Sequence, residues 1–148
     1  MRMVAIAALG ALLLGACAPQ EPAQLTGQAL IDRGDYLVNG VVLCGDCHTP
    51  RVEGQGEGGP PDLERRLQGA PVAVPPPLAN FAPALAGGPA NYTEEQFISF
   101  LQTGVRPDGS HPRPPMPPYR LNEEDARAVS AYIRSLPQGD ASATPPSQ

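Results

Sequence analysis

Apolar residues recur at helical spacing in three segments of the chain. The first segment starts after Thr26 and places Leu30, Gly34 and Leu37 at positions i, i+4 and i+7, and Asn39-Gly40 can end it. A glycine inside a helix costs about 1 kcal/mol relative to alanine. Gly34 is therefore expected to mark a close approach of this helix to another element.

The other two segments begin with N-terminal capping signals. Thr93 to Gln96 has the pattern of a capping box, and Gly104 is suited to end the helix that follows. Asn122 opens the last helix, which has acidic residues in its first turn and stops before Pro137. No segment shows sustained alternation, and residues 62–68 have room for one or two helical turns. We therefore predict an all-α fold of three main helices without a sheet.

The N-terminus has the features of an export signal. Met1-Arg2 precedes 14 apolar or small residues, 3–16, which is shorter than the roughly 20 needed to span a bilayer and is typical of a signal peptide. Leu14 to Cys17 resembles the bacterial lipobox. We expect residues 1–16 to be a lipoprotein signal peptide and Cys17 to be lipidated; the alternative is an ordinary signal peptide that leaves Cys17 as a spare thiol.

The remaining boundaries follow from composition. Residues 17–25 are polar and contain proline, which predicts a lipidated N-terminus followed by a flexible tether. Residues 138–148 contain no bulky apolar side chain and are expected to be a disordered tail. The folded domain is therefore predicted to cover residues 26–137.

Overall composition restricts the class of protein. The net charge is -5 and all ten basic residues are arginine, whereas nucleic-acid-binding proteins usually have a basic surface. The 148 residues include 20 Pro and 16 Gly but only four Tyr, three Phe and no Trp. Because so few bulky side chains have to offset the conformational entropy of the chain, we expect something besides side chains to contribute to the core.

The chemistry begins at Cys44-Gly45-Asp46-Cys47-His48, the C-x-x-C-H pattern of covalent haem attachment. On a helical turn the two sulfurs share one face, where they can bond the porphyrin vinyl groups, and the histidine can reach the iron. The alternatives are a thiol–disulfide pair and half of a zinc site. The first lacks a surrounding βαβ pattern; the second has few further ligands, since His111 is the only other histidine. We expect one covalent haem c with His48 as axial ligand.

The second axial ligand has two candidates. Met116 lies between prolines, in the segment from Pro114 to Pro118, which makes its loop stiff and unable to form a helix or a sheet. It belongs to no periodic apolar stripe and is therefore favoured as the ligand. His111, five residues earlier, is the alternative.

Together, a first helix before C-x-x-C-H, a methionine in a proline-rich loop and a terminal helix resemble a class I cytochrome c. Residues 34–50, 103–109 and 131–137 are similar to cytochrome c domains that accept electrons from membrane-associated bacterial dehydrogenases. The resemblance implies a cytochrome c fold, with Pro/Gly-rich loops wrapped around the haem and Gly34 packed near Tyr132.

The resemblance also implies further haem contacts. Residues 81–85 are similar to the family's G-P-N-L segment, so the Pro83 carbonyl would accept a hydrogen bond from the axial histidine and Leu85 would contact the haem. Pro60 is a second candidate for the carbonyl. Tyr92 stands where many relatives have a tryptophan that bonds a haem propionate.

The expected surroundings of the haem are an apolar shell and a small basic patch. The patch would consist of Arg106, Arg113 and Arg120, which flank Met116 in the sequence. The shell would consist of Leu37, Leu85, Phe97, Phe100, Tyr119 and Ile133.

These features predict an electron carrier, not an enzyme. The protein would be lipid-anchored on the periplasmic side of a bacterial envelope membrane. It would pass single electrons between a dehydrogenase, an oxidase or another cytochrome. The alternative is a haem-based ligand sensor or a peroxidase-like enzyme, in which Met116 is displaced from the iron.

Overall fold

A computed structural model describes residues 23–55 and 58–138. The predicted signal peptide, Cys17, most of the predicted tether and the tail beyond Gln138 lie outside the described residues. The regular elements in chain order are the helices α1 (Gly27–Tyr36), α2 (Gly45–His48), α3 (Glu94–Thr103) and α4 (Glu123–Ser135), with two short strands between α2 and α3. The prediction of a mainly helical fold with three main helices is confirmed.

The crossing of α1 and α4 brings the two ends of the domain together. Gly34 of α1 is buried at this crossing, and a Cβ built on it would overlap the carbonyl oxygen of Ala128 and lie 2.6 Å from the Cβ of Tyr132. The expectation of a close approach near Tyr132 is thus confirmed. An ion pair of 2.8 Å between Arg33 and Asp125 flanks the same crossing.

Helix α1 ends at Tyr36, but the helical path continues to Val41, past the Asn39-Gly40 signal. After Tyr36 the chain continues through a π-turn, Leu37–Val41, in which the amide of Val42 donates to the carbonyl of Leu37 at 2.8 Å. This wider ring carries the chain past the glycine before it turns towards α2. π-turns of this kind often occur beside functional sites.

Both later helices begin as predicted. At the start of α3, Thr93 and Gln96 form the two reciprocal bonds of a capping box, and Gly104 ends the helix in the left-handed conformation at φ 69°. At the start of α4, the side chain of Asn122 accepts from the amide of Asp125. Local capping chemistry therefore sets these boundaries.

The prediction of no sheet is wrong at one point. Strands β1 (Ala70–Pro71) and β2 (Phe81–Ala82) pair antiparallel, with Ala70 opposite Ala82. Two-residue strands are too short to produce a detectable alternation of polar and apolar positions. The helical turn predicted within residues 62–68 is a single 3-10 turn, Leu63–Arg65.

The core lies between α1, α3 and α4. Its fully buried side chains include Val38, Leu67, Val129 and Ile133. Leu67 comes from the long connection between α2 and α3, so this connection is packed into the same core. Among the described residues, no helix combines the length and apolar character needed to cross a membrane.

Replacement of Gly34 by alanine should destabilise the domain. The added methyl group has no space at the α1–α4 crossing, and overpacking of this kind costs about 1–3 kcal/mol in the free energy of unfolding. Gly40→Ala is a matched control, since a Cβ there would meet only the ring of Tyr36 at 3.6 Å. Denaturant unfolding followed by circular dichroism compares the two variants; equal stabilities would contradict the packing argument.

Candidate functional site

An apolar cleft lies between the C-x-x-C-H segment and the loop that carries Met116. Its empty volume is about 710 Å³, including the part open to solvent. Cys44, Cys47, His48 and Met116 all line it. The structure therefore brings together the two thiols, the imidazole and the thioether that the sequence singles out.

The C-x-x-C-H segment forms a single helical turn at the cleft wall. Leu43 precedes it with φ 54°, a left-handed conformation that is uncommon for a residue other than glycine. That conformation turns the chain from the π-turn into α2, where the amide of His48 donates to the carbonyl of Cys44 at 3.0 Å. Burial raises the pKa of the Cys44 thiol to about 11.

The ring of His48 is oriented by a backbone carbonyl. Its Nδ1 lies 2.7 Å from the carbonyl oxygen of Pro83. Because a carbonyl can only accept, Nδ1 carries the proton and Nε2 is left with a lone pair for a metal. Only 6% of the residue is exposed, and this burial lowers the pKa of His48, which favours the neutral ring that a metal requires.

Of the two proline candidates, the structure brings Pro83 to the histidine. The carbonyl of Pro60 instead accepts from the amide of Val52 at 3.1 Å. The sequence alone left this choice open, because both prolines lie in long loops whose closure depends on distant partners.

Pro83 is positioned by bonds that converge on Leu67. The carbonyl of Leu67 accepts from the amides of Leu85 and Ala86, at 2.8 and 3.1 Å, and its own amide donates to Oγ1 of Thr49 at 3.1 Å. The amide of Gly69 donates to the carbonyl of His48 at 2.8 Å. Residues 67–69 therefore connect the end of α2 to the segment that contains Pro83.

Of the two candidates for the distal ligand, Met116 faces the cleft. Its loop is tied to the neighbouring loop by the amide of Ala79, which donates to the carbonyl of Pro114 at 2.8 Å. His111 is absent from the cleft wall, and its Nδ1 lies 3.0 Å from the carbonyl of Gly104. The structure thus places a thioether, and not a second imidazole, in the same cleft as His48.

The wall of the cleft contains most of the predicted apolar shell. Leu37 is the exception: it is buried in the core and does not reach the cleft, because it belongs to the π-turn that packs on α4. The wall residues that were predicted are Leu85, Phe97, Phe100, Tyr119 and Ile133. Those that sequence reasoning missed include Leu43, Val72, Ala79, Phe81, Leu101 and Val129. Val72, Ala79 and Phe81 lie within or next to the short strand pair, which has no periodicity, so no local signal identifies them.

Tyr92 lies behind the aromatic wall and not in it. Its ring packs against Phe97 and Phe100, with centroid distances of 6.0 and 5.8 Å. Burial raises its pKa, and the neighbouring guanidinium of Arg106 opposes that rise. The structure therefore does not bring Tyr92 to the cleft as a direct contact.

The three predicted arginines do not form one free patch. Arg106 is half-buried, and it donates to Oγ of Ser110 at 3.2 Å and to the carbonyl of His111. Arg113 and Arg120 are exposed on the loop of Met116. One nitrogen of Arg120 donates to the carbonyl of Tyr119 at 2.7 Å.

These residues fit a covalently attached haem. Two thiols three residues apart, an imidazole with a free Nε2 and a facing thioether surround an apolar cleft. No group of three or more His, Cys, Asp or Glu side chains within 23–55 and 58–138 is arranged to bind a metal ion by itself.

Comparison with known proteins identifies a family. The profile of the cytochrome c family matches residues 26–137. The chain is 35% identical over 124 residues to the fructose dehydrogenase cytochrome subunit of Gluconobacter japonicus, covering 78% of this chain and 23% of that protein.

Two further relatives show the same partial coverage. Identity to the cytochrome c subunit of the quinone alcohol dehydrogenase of Gluconobacter oxydans is 33% over 114 residues, or 75% of this chain and 22% of that protein. Identity to a diheme c-type cytochrome of Cereibacter sphaeroides is 32% over 111 residues, or 72% of this chain and 35% of that protein. The chain thus spans between 22% and 35% of the length of these relatives.

Replacement of Thr49 by valine should weaken the link between α2 and the Pro83 segment. The substitution keeps the size of the side chain but leaves the buried amide of Leu67 without its acceptor, which costs about 1–3 kcal/mol. Thr49→Ser retains the hydroxyl and serves as the control. Chemical unfolding measures both variants; a Thr49→Val protein as stable as Thr49→Ser would show that the bond does not matter.

Proposed function

Because the chain belongs to the cytochrome c family, we propose that it is an electron carrier with one covalent haem c, ligated by His48 and Met116. The observation that carries this proposal is the cleft, in which Nε2 of His48 is free and Met116 shares the wall with both cysteines. Each predicted donor thereby has a role at one site.

Four residues of the chain would bind the haem. Cys44 and Cys47 would attach the porphyrin through their sulfurs, and His48 and Met116 would ligate the iron. The bound haem supplies a reversible one-electron change. A methionine–histidine pair raises the reduction potential compared with ligation by nitrogen alone. The apolar wall would keep water away from the iron, whose charge changes when an electron is transferred.

Two protein ligands on the iron would leave no open coordination position for a substrate. This supports a carrier over an enzyme. A ligand sensor or a peroxidase-like enzyme would require Met116 to leave the iron, which the prolines on both sides of Met116 oppose by stiffening the loop.

The names of the relatives support one class of electron donor. Several are named as cytochrome subunits of dehydrogenases, so we propose that a dehydrogenase donates the electron and that an oxidase or another cytochrome accepts it. The chain has no lysine. Docking would therefore use the exposed Arg113 and Arg120 and the apolar side chain of Leu43 in the cleft wall, which is 47% exposed.

We also propose a location on the periplasmic side of a bacterial membrane. The apolar run 3–16 and the lipobox-like Leu14 to Cys17 support export and attachment of lipid to Cys17. Multiple acyl chains give stable anchoring, since each buried methylene contributes about 0.8 kcal/mol. The polar residues 18–25 would separate the haem domain from the lipid surface.

Visible spectroscopy of the purified holoprotein tests the carrier hypothesis. The wild-type ferric protein should show the sulfur-to-iron band near the red end of the spectrum, and the ferrous protein should not bind carbon monoxide at neutral pH. Met116→Ala should lose the band and bind carbon monoxide, because it opens a coordination position. His111→Ala is the matched control and should match the wild type. Facile carbon monoxide binding by the wild type would favour the sensor instead.

Membrane fractionation tests the anchor. Wild-type protein expressed in a bacterium that processes lipoproteins should sediment with membranes and be released by detergent. Cys17→Ser should move it to the soluble fraction while the covalent haem, attached at Cys44 and Cys47, is unchanged. A wild-type protein that is soluble after export would contradict lipidation.

A further inference from the structure

Tyr119 joins the loop of Met116 to the opposite side of the cleft. Its hydroxyl donates to the backbone carbonyl of Val42 at 2.9 Å. Val42 lies 77 residues earlier, between the π-turn and Cys44. The ring of Tyr119 lines the cleft and is half-buried. This single bond therefore spans the rim between the two predicted ligand-bearing segments.

The carbonyl of Val42 is available because of the local backbone. The amides that follow bond elsewhere: Cys44 donates to Val38 at 3.1 Å and Asp46 donates to Leu43 at 3.1 Å. Leu43, with φ 54°, breaks the helical path at this point. The last carbonyls of a helix need partners from outside it, and here the phenol hydroxyl supplies one.

The amide of Ala79 donates to the carbonyl of Pro114 at 2.8 Å and ties the start of the loop to the neighbouring loop. Beyond this bond, the loop has few other means of closing over the cleft. Prolines 114, 115, 117 and 118 have no amide hydrogen and cannot donate. The amide of Met116 bonds only within its own turn, to the carbonyl of Arg113 at 3.2 Å. After Tyr119, the amide of Leu121 donates to the carbonyl of Leu101 at 3.1 Å, which ties the loop to α3 and not to the cysteine side.

From these contacts we propose that Tyr119 is a positioning residue for the distal ligand: its hydroxyl closes the Met116 loop and fixes the thioether opposite His48. The proposal rests on the proposed function, because it assumes that Met116 ligates the iron. The two prolines between Met116 and Tyr119 make that segment stiff, so a bond at Tyr119 restrains a sulfur three residues away.

Tyr119→Phe tests the proposal in the holoprotein. The variant keeps the ring in the cleft wall and removes only the hydrogen bond, whose net contribution corresponds to about a two- to tenfold change in an equilibrium constant. We expect imidazole to bind the ferric iron about two- to tenfold faster, since binding requires the loop to open. We also expect the sulfur-to-iron band to weaken or shift. Tyr36→Phe is the matched control, because Tyr36 is 60% exposed on α1, outside the cleft wall.

The outcomes separate this proposal from the proposed function. A Tyr119→Phe protein that binds imidazole at the wild-type rate would overturn the positioning role. A lower unfolding midpoint in this variant would not rescue the proposal, because loss of any stabilising residue lowers the midpoint. A wild-type holoprotein without the sulfur-to-iron band would overturn His/Met ligation and this proposal with it. The sulfur-to-iron band in the wild type, together with faster imidazole binding in Tyr119→Phe but not in Tyr36→Phe, would support both the proposed function and the positioning role.

Discussion

The hydrogen bond between His48 and Pro83 links the two halves of the site. It couples a side chain on a one-turn helix to a carbonyl in a loop 35 residues later. A four-residue helix has almost no stability of its own, so α2 depends on what surrounds it. The backbone of Leu67 and Gly69 bonds to the end of α2, at His48 and Thr49. Leu67 also bonds to residues 85–86, next to Pro83. These bonds hold α2 and the Pro83 segment in fixed positions relative to each other. The orientation of the imidazole is thus a property of the whole connection between α2 and α3.

Local sequence signals predicted the parts of the fold that local interactions determine. The capping box at Thr93, the cap at Asn122 and the close approach at Gly34 all appear where the sequence indicates. The C-x-x-C-H motif also identified the two thiols and the imidazole of the cleft, because all three lie within five consecutive residues.

The parts that could not be predicted depend on long-range closure. The resemblance of residues 81–85 favours Pro83, but no local signal excludes Pro60, because bonds to Leu67 determine which proline carbonyl reaches His48. Nothing around Leu37 distinguishes a core residue from a cleft residue, since both are apolar and at helical spacing. The two-residue strands and the cleft positions of Val72 and Phe81 have no periodic signal at all.

Leu67 has a consequence for how this sequence can change over evolutionary time. Its side chain is fully buried, yet its backbone has φ 58°, which leucine adopts at a cost. Glycine would relieve the backbone and leave a hole in the core, and asparagine would relieve it and bring an unpaired amide into apolar surroundings. Valine or isoleucine would fill part of the space but tolerate the left-handed backbone less well. Each single step away from leucine is therefore unfavourable, and this position should drift more slowly than the loop around it.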